Sequence, residues 1–199
     1  MPITNKSISI ILQGPIKESD ISSIQAGINH YRSEFPESPL IISISPLSSQ
    51  TDDQLTSLQS LLSTLADKVV IASRCQPQSP IKLGIGPNNF NQQRATAQAA
   101  LNIVDTQYTL RLRNDMLSVK REIIELYKNL VDKKRGKLSI LDQRVIISQF
   151  FSLNPFTTEK LPFHFSDWIN FGLTKDVRHI WSIPPYPESD TKYYAPPAS

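Results

Sequence analysis

The apolar positions of the first part of the chain switch repeatedly between strand and helix spacing. Residues 7–13, S-I-S-I-I-L-Q, form a short β-branched run closed by Gly14-Pro15, which predicts a strand ending in a turn. Residues 20–31 carry Ile21, Ile24 and Ile28 at helical spacing. Asp20 stands where its carboxylate could cap that helix. Pro36 and Pro39 bracket a break, residues 40–45 read as a second strand, and Pro46 stops it. Residues 52–65 set Leu55, Leu58, Leu62 and Leu65 on one helical stripe, and residues 68–73 read as a third strand. This βα succession predicts an α/β fold: a mostly parallel sheet with helices on both faces. Ligands of such sheets bind beyond the carboxyl ends of the strands.

The pattern continues less regularly. Residues 74–89 form a long loop containing Pro77, Pro80, Gly84, Gly86 and Pro87; its glycines follow no strand directly and do not make a dinucleotide fingerprint. Residues 90–104 predict a helix and residues 108–113, Y-T-L-R-L-R, a strand followed by Asn114-Asp115. Residues 122–134 predict a helix with Ile123, Leu126 and Leu130 in register, and residues 144–153 a strand ending in Asn154-Pro155. Residues 163–181 are aromatic-rich and mix strand and helix signals. Prolines crowd residues 182–199 and argue against a packed element there. The expected organisation is one domain over residues 1–181 with a Pro-rich tail over 182–199.

Composition narrows the classes. At 199 residues the chain can bury a sizeable core. Its single cysteine excludes an internal disulfide and a Cys-based zinc site. A net charge of +3 is far from the dense basic surface of a nucleic-acid binder, so no nucleic acid is expected as partner. The aliphatic run at residues 8–12 is much shorter than the ~20 residues of a transmembrane helix, and the start does not read as a secretory signal. The expectation is a cytoplasmic protein without a transmembrane segment, with peripheral contact at the inner membrane left open.

Several residues could carry chemistry. Asp115 follows a strand and stands at the carboxyl edge, where a carboxylate can hold Mg²⁺ or Mn²⁺ against a diphosphate leaving group; an ordinary Asn-Asp turn is the alternative. Arg94 falls on the helical stripe of Phe90, Ala97, Leu101 and Val104. A cation there needs a partner, either a ligand phosphate or Asp115. Asn91, in the same turn, could meet a base, a ribose or backbone. Arg111 and Arg113 share one face of a strand; that face is either solvated, the commoner case, or lines an anion-binding crevice. Arg113 is nearer the strand end. Gln13 could hydrogen-bond a base or ribose, while Gly14 permits close backbone approach. In F-H-F-S-D-W, residues 163–168, His164 and Asp167 could accept a proton and the aromatic rings could stack on a sugar; a helix cap at Ser166 or Asp167 is the competing reading. The run D-K-K-R-G-K at residues 132–137 suits a helix C-terminus with Gly136 as left-handed cap, and contact with anionic lipid headgroups is its second reading. Cys75 lacks a His/Asn context for nucleophilic catalysis.

Q-G-P-I at residues 13–16, N-F-N-Q-Q-R at 89–94, R-L-R-N-D-M at 111–116, S-L-N-P-F at 152–156 and H-F-S-D-W at 164–168 occur in that order. The ordered set resembles the WavE-type lipopolysaccharide core synthesis family, which is similar to GT-A nucleotide-sugar transferases. The resemblance implies a GT-A-like fold, with an aromatic-rich acceptor-side segment, that moves a sugar from a nucleoside-diphosphate donor to a saccharide or lipid-linked acceptor. It maps Arg94 onto the arginine of the helix before the acidic motif, Asn114-Asp115 onto that motif, and Asp167 onto a late Asp-Trp element near the acceptor. Joined to the residue readings above, the expected donor set is Gln13, Gly14, Asn91, Arg94, Arg113 and Asn114, with a Mn or Mg ion on Asp115 and Asp167 with His164 as the catalytic pair. Asn114-Asp115 supplies one carboxylate where the usual acidic motif has two. The resemblance also implies a C-terminally shortened domain, and with it an alternative: a non-catalytic nucleotide- or saccharide-binding remnant or subunit.

Overall fold

A computed structural model describes residues 2–79, 88–116, 119–150, 152 and 166–191. The strands β1 (Ile8–Gly14), β2 (Leu40–Ile44), β3 (Lys68–Ile71), β4 (Tyr108–Arg113), β5 (Ile146–Ile147) and β6 (Ile169–Leu173) form one sheet in the order β3-β2-β1-β4-β6-β5. From β3 to β4 every neighbour is parallel, whereas β6 runs antiparallel to both β4 and β5. The predicted mostly parallel α/β sheet is present. The reversal at β6 has a consequence for the site: Ile169 lies opposite Leu112, so the residues just before β6 arrive at the carboxyl edge of the parallel strands.

Helices cover both faces. α1 (Ile21–Glu34), α2 (Asp52–Leu62) and α4 (Glu122–Val131) pack on one; α3 (Phe90–Asn102) and α5 (Thr174–Trp181) pack on the other. A short α6 (Glu188–Thr191) follows. Strand alternation sends Ile8, Ile10 and Leu12 to the first face, with Leu40, Ile42 and Ile44 beside them. The opposite positions are half polar. Ser9, Gln13, Ser43, Thr109 and Arg111 are all buried. Their polar groups find partners: Ser43 Oγ donates to the Thr96 carbonyl at 2.7 Å, and Thr109 pairs with Thr174 at 2.8 Å. Among the described residues no helix is long and apolar enough to cross a membrane.

Several local expectations shift. Asp20 does not cap α1; its carboxylate accepts from the Lys17 N–H at 2.9 Å and from Ser19 Oγ, closing a 3₁₀ turn instead. The α3 stripe is rotated, with Gln92, Thr96, Ala97, Ala100 and Leu101 buried while Phe90 packs edge-on against Tyr186 at 4.7 Å. In α4 the buried positions are Ile124 and Tyr127, and Leu126 is exposed. The ring of Tyr127 sets that face, since it sits between Tyr108 and Phe171. The strand expected over residues 144–153 is only β5, and Asn154-Pro155 lies outside the described residues.

The start of the Pro-rich tail is not free. Asn91 clamps the Tyr186 backbone, donating to its carbonyl and accepting from its N–H, both at 2.8 Å. Gln98 Nε2 donates to the Trp181 carbonyl, Arg94 Nη1 to Ile183, and Gln78 Nε2 to Tyr186. Proline removes backbone donors but leaves the carbonyls, and most of these contacts are to carbonyls, the Tyr186 N–H being the exception.

At the other side of the sheet Asp67 accepts from the Leu40 N–H at 2.7 Å and from Arg32 Nη2 at 3.0 Å. Burial would raise its pKa, but the bonds from Arg32 and Leu40 outweigh that and hold the carboxyl below its ordinary value. A depressed folded pKa gives stability that is present above the unfolded value and disappears as pH falls through the folded one. Asp67→Asn should therefore lower the urea midpoint above about pH 5 and approach wild type as pH falls below the ordinary carboxylate range, checked by denaturation across a pH series.

Candidate ligand cleft at the carboxyl edge

The ends of β1, β2, β3 and β4 open onto a cleft of about 1230 Å³. Gln13, Gly14, Arg113, Asn114 and Asp115, five of the sequence-predicted site residues, line it together with Gln93. β1 and β4 are adjacent, so Gln13 pairs with Arg113 in register and the Asn114 N–H donates to the Gln13 carbonyl at 2.8 Å. Gly14 has φ +151, and a Cβ there would stand 2.3 Å from Asn114 Oδ1. Asn114 thus lies over the glycine, with its Nδ2 donating to the Pro15 carbonyl at 2.7 Å. The Q-G-P and N-D turns form one unit.

Beneath the cleft lies a charge the sequence reading did not place there. Arg111 is fully buried, where a solvated face was the commoner expectation. The reason is α5: Trp181 covers the guanidinium, 4.4 Å from ring centroid to Cζ, and Asn170 fixes Trp181 through Nε1 at 3.0 Å. Arg111 Nε donates to Gln13 Oε1 at 2.8 Å and Nη1 donates to the Asp167 carbonyl, while Nη2 has no partner among the described residues. Burial depresses its pKa to about 9; the Asp167 charge opposes the shift and Arg113 adds to it. It still carries its charge at neutral pH.

Asp167 reaches the same edge from the N-terminal side of β6. Its carboxylate accepts from Gln93 Nε2 of α3, and Gln13 Nε2 donates to the Gln93 carbonyl at 3.4 Å. Gln13, Gln93, Arg111 and Asp167 are thereby one network. Gln93 was not singled out from the sequence, although it stands inside N-F-N-Q-Q-R, two residues past Asn91.

Arg94 and Asn91 do not join this group. Arg94 turns away from the cleft toward Gln98, at 2.8 Å, and the Ile183 carbonyl, with a buried unpartnered Nε; Asn91 holds Tyr186. The rotation of the α3 stripe is the cause, because it gives the cleft Gln92, Gln93 and Thr96 instead. The expected meeting of Arg94 with Asp115 does not occur. His164 and the aromatic residues 163 and 165 lie outside the described residues.

Asp115 pairs with Arg113 two residues away. Nε donates to Oδ1 at 3.2 Å and Nη2 to Oδ2 at 2.7 Å, and the guanidinium lies 5.3 Å over the Trp168 ring. Both carboxylate oxygens are engaged. Among the described residues no three of His, Cys, Asp or Glu converge as a metal site. Among the described residues Asp115, already paired with Arg113, stands without a second carboxylate, His or Cys group to complete a resident Mn or Mg site. Of the cations lining the cleft, Arg74 is spent on the Leu47 and Gln50 carbonyls and on Asp52. Arg113 is the cation at the strand ends.

A mostly parallel α/β sheet with a cleft at its carboxyl edge places the chain in the open-sheet α/β class. Matched over residues 8–196 by the WavE lipopolysaccharide synthesis family, the chain belongs to that family. Membership ties it to lipopolysaccharide synthesis. No curated protein matches it.

Gly14→Ala should destabilise the fold by about 1–3 kcal/mol, the usual range for a strained backbone position, read as a lower denaturant midpoint. The same substitution at Gly136, where an added Cβ meets nothing within 4 Å, should leave the midpoint nearly unchanged.

Proposed function

We propose that this chain transfers a sugar from a nucleoside-diphosphate donor to a saccharide acceptor on the way to lipopolysaccharide, in the cytoplasm. The observation that carries the reading is the joint edge of β1 and β4, where Gly14, Asn114 and the Arg113–Asp115 pair meet at the cleft. Family membership supplies the pathway. The order α3, β4, then Asn114-Asp115 supports likeness to GT-A transferases.

In this reading Asn114 binds the base or ribose, Gln13 holds the floor of the site through Arg111 and Gln93, and Gly14 lets the backbone approach the ligand. The diphosphate lies against Arg113, which Asp115 holds in place. An acceptor hydroxyl attacks the anomeric carbon, the bond from that carbon to the phosphate oxygen breaks, and the diphosphate departs with the electron pair. Asp167 takes the hydroxyl proton. Arg113 stabilises the charge gathering on the leaving group, a fixed electrostatic contribution to the transition state.

Calorimetry with a panel of nucleoside diphosphates tests the site. Arg113→Gln should weaken binding about 10–100-fold, the worth of a lost charge-assisted contact. Chelator should leave wild-type binding unchanged, and Asp115→Ala should weaken it less than Arg113→Gln does. Binding that requires Mn²⁺ and disappears in Asp115→Ala would replace Arg113 with a metal site. Incubation with labelled nucleotide sugars and lipopolysaccharide core acceptors tests turnover: Asp167→Asn should abolish product while retaining nucleotide affinity. Nucleotide binding without product from any donor would select the non-catalytic binding reading.

A further inference from the structure

The loop between α4 and β5 closes at its base and projects at its tip. Arg135 folds back to donate to the Leu141 and Asp142 carbonyls, and Arg144 donates to the Lys133 and Lys134 carbonyls. Asp176, buried in α5, accepts from the Asp142 and Gln143 N–H groups at 2.8 Å each. A turn from Gly136 to Ser139 forms the tip. There Leu138 is 95% exposed and Ile140 77% exposed, the two barest of the exposed large apolar side chains.

The charge around this tip is one-sided. Residues 120–144 hold eight Lys and Arg against four Asp and Glu, so the surplus here exceeds the +3 of the whole chain. Two of the acids are neutralised, Asp142 by Lys175 and Glu125 by Lys128. Lys133, Lys134 and Lys137 are exposed beside the bare aliphatic residues. Gln143, at the loop's base, lies with Thr106 and Gln107 at the amino ends of the strands, opposite the cleft.

We propose that this loop docks the protein on an anionic phospholipid surface, with Leu138 and Ile140 entering the interface and Lys133, Lys134 and Lys137 meeting the headgroups. A narrow turn offers a protein partner little flat apolar area, and a nucleic acid has no use for two aliphatic side chains among the cations. A lipid interface rewards both together. Docked this way, the protein keeps its cleft directed away from the bilayer. The inference is independent of the transfer reaction, because a chain without turnover would dock equally well.

Co-sedimentation of the full chain with phosphatidylglycerol–phosphatidylethanolamine vesicles, and with phosphatidylcholine vesicles, tests it. Binding should be confined to the anionic vesicles and fall with added salt. Each lysine neutralised should cost about fivefold, so Lys133→Gln/Lys134→Gln/Lys137→Gln should lose about a hundredfold. Leu138→Ser/Ile140→Ser should lose about tenfold. All five positions are exposed, so thermal melting should not move in either variant. Equal binding to both vesicle types, or unchanged binding by either variant, overturns the proposal. So does self-association, or RNA binding lost in the lysine variant, when vesicle binding is absent.

Discussion

The buried guanidinium of Arg111 is the constraint on which the rest of this molecule turns. A positive charge with zero exposure sits in the middle of the sheet, in contact with no carboxylate oxygen of the described residues. Taking such a charge out of water costs several kcal/mol after relaxation, and the structure offsets this with groups drawn from four elements. Gln13 comes from β1, the Asp167 carbonyl from the chain entering β6, Trp181 from α5, and Asn170 from β6 as the group that fixes Trp181. Each of these has its position dictated by the same cation.

That dictation explains why the cleft has its composition. Gln13 must present its oxygen to Arg111, which leaves its amide nitrogen for the Gln93 carbonyl. Gln93 in turn brings its own amide to the Asp167 carboxylate. A late carboxylate and an early glutamine, far apart in the chain, are thereby joined through one buried cation and one helix turn. Above them Asn114 covers Gly14, so the two turns at the strand ends move together. The outer side of α3 serves another part of the chain, since Asn91, Arg94 and Gln98 hold residues 181–186 through backbone contacts. One helix thus supports the cleft with one stripe and the Pro-rich segment with the other.

The sheet and most of its helices were legible because their apolar residues repeat locally. Short aliphatic runs stopped by Gly14-Pro15 and by Pro46 predict β1 and β2, and Leu55, Leu58 and Leu62 predict α2. Gln13, Gly14, Arg113, Asn114 and Asp115 were legible as cleft residues because each stands at the end of a strand. What failed depends on contacts distant in sequence. The register of α3 is set by the polar strand face it covers, where Ser43 bonds the Thr96 carbonyl, and no local spacing announces that. Arg94 was misplaced for this reason. For Arg111 a solvated face, the commoner of its two expectations, fails because its shield, Trp181, lies seventy residues downstream. Tyr127, not the leucines, set the face of α4, because its ring fits between two aromatic residues from other strands.

The single carboxylate of the edge motif acquires a physical sense from its pairing. Two carboxylates at a strand end repel a diphosphate until a dication lies between them. One carboxylate neutralised by one guanidinium raises no such barrier. Asp115 engages Nε and Nη2 of Arg113, and a guanidinium has five N–H donors, so Nη1 stays available to a phosphate oxygen while the pair remains intact. The Trp168 ring beneath the guanidinium limits its swing. Under the proposed function the cation that meets the diphosphate is therefore covalently part of the chain, and its orientation is fixed before the ligand arrives. That arrangement suits an edge whose floor holds a second arginine, buried Arg111, since its charge adds to the positive potential at the strand ends without itself leaving the core.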